Sequence, residues 1–120
     1  MTRSEQLRQG IEALNARDFA AAGKDYADDV RFHAPGLDLD VEGRETMMQR
    51  IGDFIEEADA HYELDEVVEH GPFVVAFAPA AGTIQGQRMA WELCELLRFE
   101  GDQVAEAWAV RGGAPQPTSA

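Results

Sequence analysis

Glu95-Leu96-Leu97-Arg98-Phe99-Glu100-Gly101-Asp102-Gln103-Val104-Ala105-Glu106-Ala107-Trp108 reads as two strands joined by a tight turn at Glu100-Gly101-Asp102, and its alternation decides the fold. Side chains two apart on a strand share a face. Trp91, Leu93, Leu97 and Phe99 form one such series, with Glu95 in its middle; Ala90, Glu92, Cys94, Leu96 and Arg98 form the other. The first series is bulkier and more apolar, so it should face the core and carry Glu95 inward. On the following strand Val104, Trp108 and Val110 share a face with Glu106. A turn centred on Glu100-Gly101 sets Glu95 beside Glu106, and one centred on Gly101-Asp102 sets Leu97 opposite Glu106. Both registers keep the two glutamates on one face, whereas a three-residue loop with a bulge separates them.

Outward from the hairpin, the chain divides into a helical half and a strand half. Leu7, Ile11 and Leu14 recur at helical spacing behind a candidate N-cap, Ser4. Asp18 opens a short second helix reaching about Tyr26, with Phe19, Ala22 and Tyr26 on its buried side. Asp28 to Ala34 reads as a turn into a strand that Pro35-Gly36 ends, and Leu37 to Gly43 as a carboxylate-rich loop. Arg44 to Ala58 is the clearest helix, striped by Met47 or Met48, Ile51, Phe54 or Ile55, and Ala58. Tyr62, Leu64 and Val68 then alternate with acidic residues, with Glu66 marking a bulge or an edge. Phe73 to Phe77, Met89 to Phe99 and Val104 to Arg111 are further strands. Helices followed by an antiparallel meander predict an α+β fold, a curved sheet with helices packed on one face and a pocket in its mouth. One domain over residues 1–111 is expected, with 112–120 a loose tail.

The composition excludes several classes. The chain has 120 residues with 23 Asp and Glu against 10 Lys and Arg, a net charge of −13. Nucleic acids and anionic membranes want basic patches, so neither is an expected partner. No stretch approaches the ~20 apolar residues of a membrane span, and the N-terminus lacks the apolar run of a signal peptide, so a cytoplasmic location is expected. The single cysteine, Cys94, excludes an internal disulfide framework. His33, His61 and His70 are scattered and no spacing resembles a metal site; phosphate-binding glycine loops are missing as well. Neither a metal nor a cofactor is expected.

Two carboxylates in one apolar cavity do not both ionise cheaply, because desolvation and mutual repulsion each raise a pKa. Either one of Glu95 and Glu106 holds its proton near neutral pH, or an arginine neutralises the pair. A protonated carboxyl donates to a carbonyl or enolate while its ionised partner acts as a base. The alternative is structural: Glu106 solvated at the sheet rim, and Glu95 simply bound to an arginine, to Tyr26 or to a tryptophan N–H.

The chain resembles the SnoaL-like and ketosteroid-isomerase-like branch of the nuclear transport factor 2 superfamily. Asp18-Phe19 through Tyr26-Ala27-Asp28-Asp29-Val30, then Pro35-Gly36, then Gly43-Arg44-Glu45 opening the long helix, follow that family's order. Glu95 to Val104 is similar to its closing hairpin, and Ala105-Glu106-Ala107-Trp108 to the ending of SnoaL-like members. The resemblance runs over about residues 4 to 111 and implies the fold rather than an activity. It places Glu95 where ketosteroid isomerases carry an oxyanion-hole aspartic acid, and near the acid/base aspartate of SnoaL-type cyclases. The isomerase's general base matches Ala34 and its tyrosine matches Gly10, so steroid isomerisation in its usual form is not implied. The limonene-epoxide-hydrolase branch carries an aspartate on the last strand, where Ala109 and Val110 stand here.

The resulting candidates are Glu95, Glu106 and His33 for catalysis, and Tyr26, Trp91, Trp108 and Asp38 for ligand binding. His33 titrates near neutrality and is a candidate base, although alternation points it away from the face of Ala34. Asp38 and Asp40 sit in a loop able to overhang the pocket. The expected ligand is a small, apolar carbonyl compound of polyketide- or steroid-like type; a binding module without chemistry is the alternative. Cys94, Leu96, Ala105, Ala107 and Ala109 are assigned to the outer sheet face. Small apolar residues there, together with the pairing habit of the resembled family, predict a homodimer through that face.

Overall fold

The computed structural model describes residues 1–118. Three helices come first or early: α1 (Arg3–Asn15), α2 (Phe19–Gly23) and α3 (Arg44–Ala58). Thr2, not Ser4, caps α1: its hydroxyl accepts from the Glu5 N–H at 3.1 Å. The helix buries Leu7 and Ile11. Asp18 caps α2, accepting from the Ala21 N–H at 3.2 Å. That helix stops at Gly23, so Tyr26 opens a strand rather than closing a helix. The long helix α3 has the expected bounds, with Met47 and Ile55 fully buried on its inner stripe.

A six-stranded mixed sheet has the order β2-β1-β9-β8-β5-β4. Its members are β1 (Tyr26–Ala34), β2 (Leu39–Glu42), β4 (Glu66–His70), β5 (Phe73–Phe77), β8 (Leu93–Glu100) and β9 (Gln103–Arg111). Only the β1–β9 pair among these is parallel; the others are antiparallel. A smaller antiparallel sheet joins β10 (Gln116–Pro117), β7 (Gln87–Trp91), β6 (Ala80–Ile84) and β3 (His61–Tyr62) in that order. The strand expected over Met89 to Phe99 is therefore divided at Glu92, one half in each sheet. The segment Leu37 to Gly43, expected to be a loop, makes a 3-10 turn at Pro35–Leu37 and then β2, because Leu39 alternates inward and is buried. Part of the segment expected to be loose also pairs: Gln116–Pro117 lie along β7, while residues 119–120 lie outside the described range. No helix among the described residues is long and apolar enough to cross a membrane.

The hairpin corrects the parity argument. Its turn is centred on Gly101-Asp102, with Glu100 opposite Gln103 and Phe99 opposite Val104. The next pair is Arg98 with Glu106, so Ala105 is an extra residue and the register shifts. A bulge of this kind reverses which residues face inward beyond it. Val104 and Ala107 are buried, and Ala109 and Arg111 face the core side. Glu106, Trp108 and Val110 therefore face outward. Of the small residues assigned to the outer face, Cys94 and Leu96 are there, but Ala107 and Ala109 are inside.

The small sheet is tied to α1 by one side chain. Asn15 Nδ2 donates to the Tyr62 carbonyl at 2.8 Å, and the Tyr62 N–H donates to Asn15 Oδ1 at 2.9 Å. This pair of hydrogen bonds holds the backbone of Tyr62, which is 8% exposed. Asn15→Ala leaves both backbone groups without their partner, at a cost of about 1–3 kcal/mol. Urea unfolding should show that loss, and a loss no larger than that of a surface alanine would mean that the pair contributes nothing.

Candidate functional site

Between the helices and the inner sheet face lies a cavity of about 110 Å³. Its wall is largely apolar and aromatic, with Tyr26, Phe32, Phe54, Tyr62, Trp91 and Phe99 all lining it. Trp91 and Phe54 meet edge to face, ring centroids 6.1 Å apart. Glu95 enters this wall from the middle of β8, opposite Ala109. The small side chain of Ala109 leaves the carboxyl facing open space.

Among the described residues nothing donates to the Glu95 carboxyl, and no cation pairs with it. Burial raises its pKa from 4.5 to about 7. Desolvation is the cause, since an ionised carboxylate in an apolar wall loses its hydration without replacement. The phenols of Tyr26 and Tyr62 are also pushed up, first by burial and then by the nearby Glu95 charge. Glu95, Tyr26 and Tyr62 thus converge on one largely apolar cavity, and among the described residues none of the three side chains has a hydrogen-bond partner. Such an arrangement suits the polar atom of a small ligand, with a carboxyl able to give or take a proton near neutrality.

Glu95, Tyr26 and Trp91 are the sequence-predicted candidates that the fold brings together. The others lie elsewhere. Glu106 is on the outer face, where His33 Nε2 donates to its Oε2 at 2.7 Å and Arg98 donates to its Oε1 at 3.4 Å. These partners hold its carboxyl below the usual range, the His33 bond foremost. It does not share the cavity with Glu95. His33 faces outward as alternation requires, with Nδ1 also 3.2 Å from Asp40 Oδ1. The Glu106 bond is the main reason that its pKa is raised. Trp108 stacks on His33 at 5.4 Å and does not reach the cavity. Asp38 is exposed in a left-handed turn, φ 51°, away from the lining. Among the described residues no group of three His, Cys, Asp or Glu side chains is arranged to hold a metal ion.

Tyr62 and Arg111 escape sequence reasoning. Tyr62 falls in the alternation with Leu64 and Val68, but its strand is only His61–Tyr62 and the alternation does not reveal that it lines the cavity; Arg111 turns inward only because of the bulge at Ala105.

A folded-state carboxyl held near 7 loses its proton later than in the unfolded chain. Between 4.5 and about 7 the folded form keeps a proton that the unfolded form has released, so stability falls as pH rises through that window. Glu95→Gln removes this dependence. Relative to the parent, the variant should gain about 2 kcal/mol between pH 5.5 and 8.5 in urea unfolding. A difference independent of pH would show that the carboxyl is solvated.

The family model for the SnoaL-like domain matches residues 7–107. No curated protein matches the chain in sequence. Among solved structures, Bal32a from a soil-derived mobile gene cassette superposes with a TM-score of 0.84 at 20% identity, over 91% of this chain and 88% of its own. An NTF2-like protein of unknown function from Burkholderia pseudomallei K96243 gives 0.81 at 21% identity, over 91% and 90%. A protein with a ketosteroid isomerase-like fold from Catenulispora acidiphila DSM 44928, in complex with trimethylamine, gives 0.80 at 20%, over 90% and 85%. These likenesses establish the architecture, and with the family model matching residues 7–107 the chain belongs to the SnoaL-like family.

Proposed function

We propose that this chain binds a small apolar carbonyl compound in the cavity and moves a proton on it through Glu95, without a cofactor. The observation that carries the reading is the unpartnered Glu95 carboxyl, poised near neutral pH in an apolar wall. In its ionised form Glu95 takes a proton from the carbon beside the carbonyl. The C–H electron pair moves into the new C=C bond, and the carbonyl oxygen gains the charge. Phenol donors on the same wall, Tyr26 and Tyr62, suit that oxygen. Where the compound carries an adjoining C=C bond, return of the proton from Glu95 to the far carbon of the dienolate gives isomerisation; attack of the enolate carbon on a second carbonyl, whose oxygen then takes the proton from Glu95, gives cyclisation.

Exchange of hydrogen for deuterium beside the carbonyl of cyclohexanone tests this in heavy water. Proton NMR should show enzyme-dependent exchange that rises with pH through about 7, where Glu95 ionises, and Glu95→Gln should abolish it. Full exchange in the variant removes Glu95 from the chemistry.

A second reading, a ligand-binding module without chemistry, rests on Ala34 and Gly10. Both line the cavity, and both stand where the resembled isomerases place a base and a tyrosine. It predicts saturable binding of the ketone with no exchange.

We also propose that the outer sheet face pairs with a second copy of the chain. The row Val68, Val75, Leu96 and Trp108 crosses four strands, and Val68, Phe77 and Val110 are exposed. The neighbouring charges are of both signs, with Arg98 between Glu100 and Glu106. A patch of this composition complements itself about a two-fold axis. Sedimentation velocity should find a dimer, and Phe77→Lys with Val110→Lys should give a folded monomer. A monomeric parent protein overturns the pairing.

A further inference from the structure

The acidic character of the chain is reversed at one place. Of its 10 basic residues against 23 acidic ones, Arg50 and Arg111 both line the cavity, and neither pairs with a carboxylate among the described residues. Arg50 comes from the exposed side of α3. Arg111 closes β9 on the inner face, opposite Leu93. Its Nη2 donates to the Gly36 carbonyl at 2.8 Å, which anchors the guanidinium against the Pro35–Leu37 turn. Its Nε is buried without a partner among the described residues. An arginine fixed in this way without a counter-ion, in a protein with a large excess of carboxylates, calls for an explanation.

The inner face of the hairpin sets the spacing. Glu95 faces Ala109, and Arg111 is two residues further along the same strand face. Two residues of strand cover about 7 Å. Arg111 lies at the Leu93 end of the hairpin, opposite the end where Phe99 and Val104 meet. Beside Val104, Asp25 and Lys24 also line the cavity, 3.6 Å apart, and offset each other. The net charge of the whole chain disfavours anions, but at physiological ionic strength charges beyond about 8 Å are largely screened. Local arginines therefore decide what the cavity accepts. A planar guanidinium is matched by a carboxylate.

We propose that the ligand is a small apolar ketone that also carries a carboxylate, its carbonyl at Glu95 and its carboxylate on Arg111, with Arg50 as the second cation. This rests on the proton-transfer reading of Glu95 and adds the class of compound. A cavity of about 110 Å³ admits one ring or a short chain between the two groups.

The test compares 4-oxocyclohexanecarboxylate with its methyl ester, which has the same ring and ketone and no charge. Calorimetric binding and deuterium exchange beside the ketone are measured for the parent, Arg111→Gln, Arg111→Lys and Arg50→Gln, with circular dichroism confirming the fold of each. The parent should prefer the acid by about tenfold or more. That ratio should fall towards one in Arg111→Gln, fall less in Arg50→Gln, and be partly kept in Arg111→Lys. The preference should also weaken as salt is raised. Equal handling of acid and ester by the parent overturns the inference and leaves the Glu95 reading standing. An acid preference that survives in Arg111→Gln overturns the assignment to Arg111. If neither compound binds nor exchanges, the Glu95 reading fails and the inference with it.

Discussion

One extra residue in β9 governs what the two faces of the sheet carry. With Ala105 outside the regular pairing, Glu106 meets Arg98 rather than Leu97. A strand that continued the alternation from Val104 would bring Glu106 and Trp108 inside and leave Ala107 and Ala109 outside. Glu106 would then add a second carboxylate to the wall, and Trp108 would fill space that Ala109 leaves open beside Glu95. The bulge thus creates the cavity and keeps Glu95 as its central acid. It also supplies the outer face with Glu106, which joins β1, β8 and β9 through His33 and Arg98.

The wall that results is costly. Holding a carboxyl near 7 instead of 4.5 corresponds to about 3 kcal/mol at alkaline pH, a sizeable part of a typical domain's stability of about 5–15 kcal/mol. A glutamine, or an arginine placed beside Glu95, would relieve that strain easily. Nothing among the described residues does so. Glu106 shows the contrast within the same hairpin: given a histidine and an arginine, a carboxyl becomes an ordinary structural acid. Two glutamates eleven residues apart thus end in opposite electrostatic situations, set by partners rather than by residue type.

The parts of the fold legible in the sequence are those where burial writes a period. α3 was readable because Met47, Ile51 and Ile55 fall on one side of it, and the inward direction of Glu95 because Trp91, Leu93, Leu97 and Phe99 surround it in register. The bulge was not, because alanines 105, 107 and 109 suit either face of a sheet and Trp108 favoured the wrong one. Register is weakly specified where small residues stand on both sides. β2 was hidden by the acidic residues around Leu39 and Val41. Tyr62 entered the site through Asn15, 47 positions earlier, a contact that no local pattern announces. Arg111 followed the fate of the bulge.

Size narrows the chemistry further than the family does. An engineered apolar cavity of ~150 Å³ holds a benzene molecule, and the cavity here is about 110 Å³. A fused-ring compound would therefore not be enclosed; only one ring of it would reach Glu95. A side chain larger than Ala109 opposite Glu95 would close off even that ring. If the ligand carries the carboxylate proposed above, Arg111 has a physical use that a larger pocket would not need. With so little apolar area to bury, roughly 25 cal/mol per Å² gives modest affinity, and the proposed ion pair at the far end of the ligand would both add to it and fix which carbon is presented to Glu95.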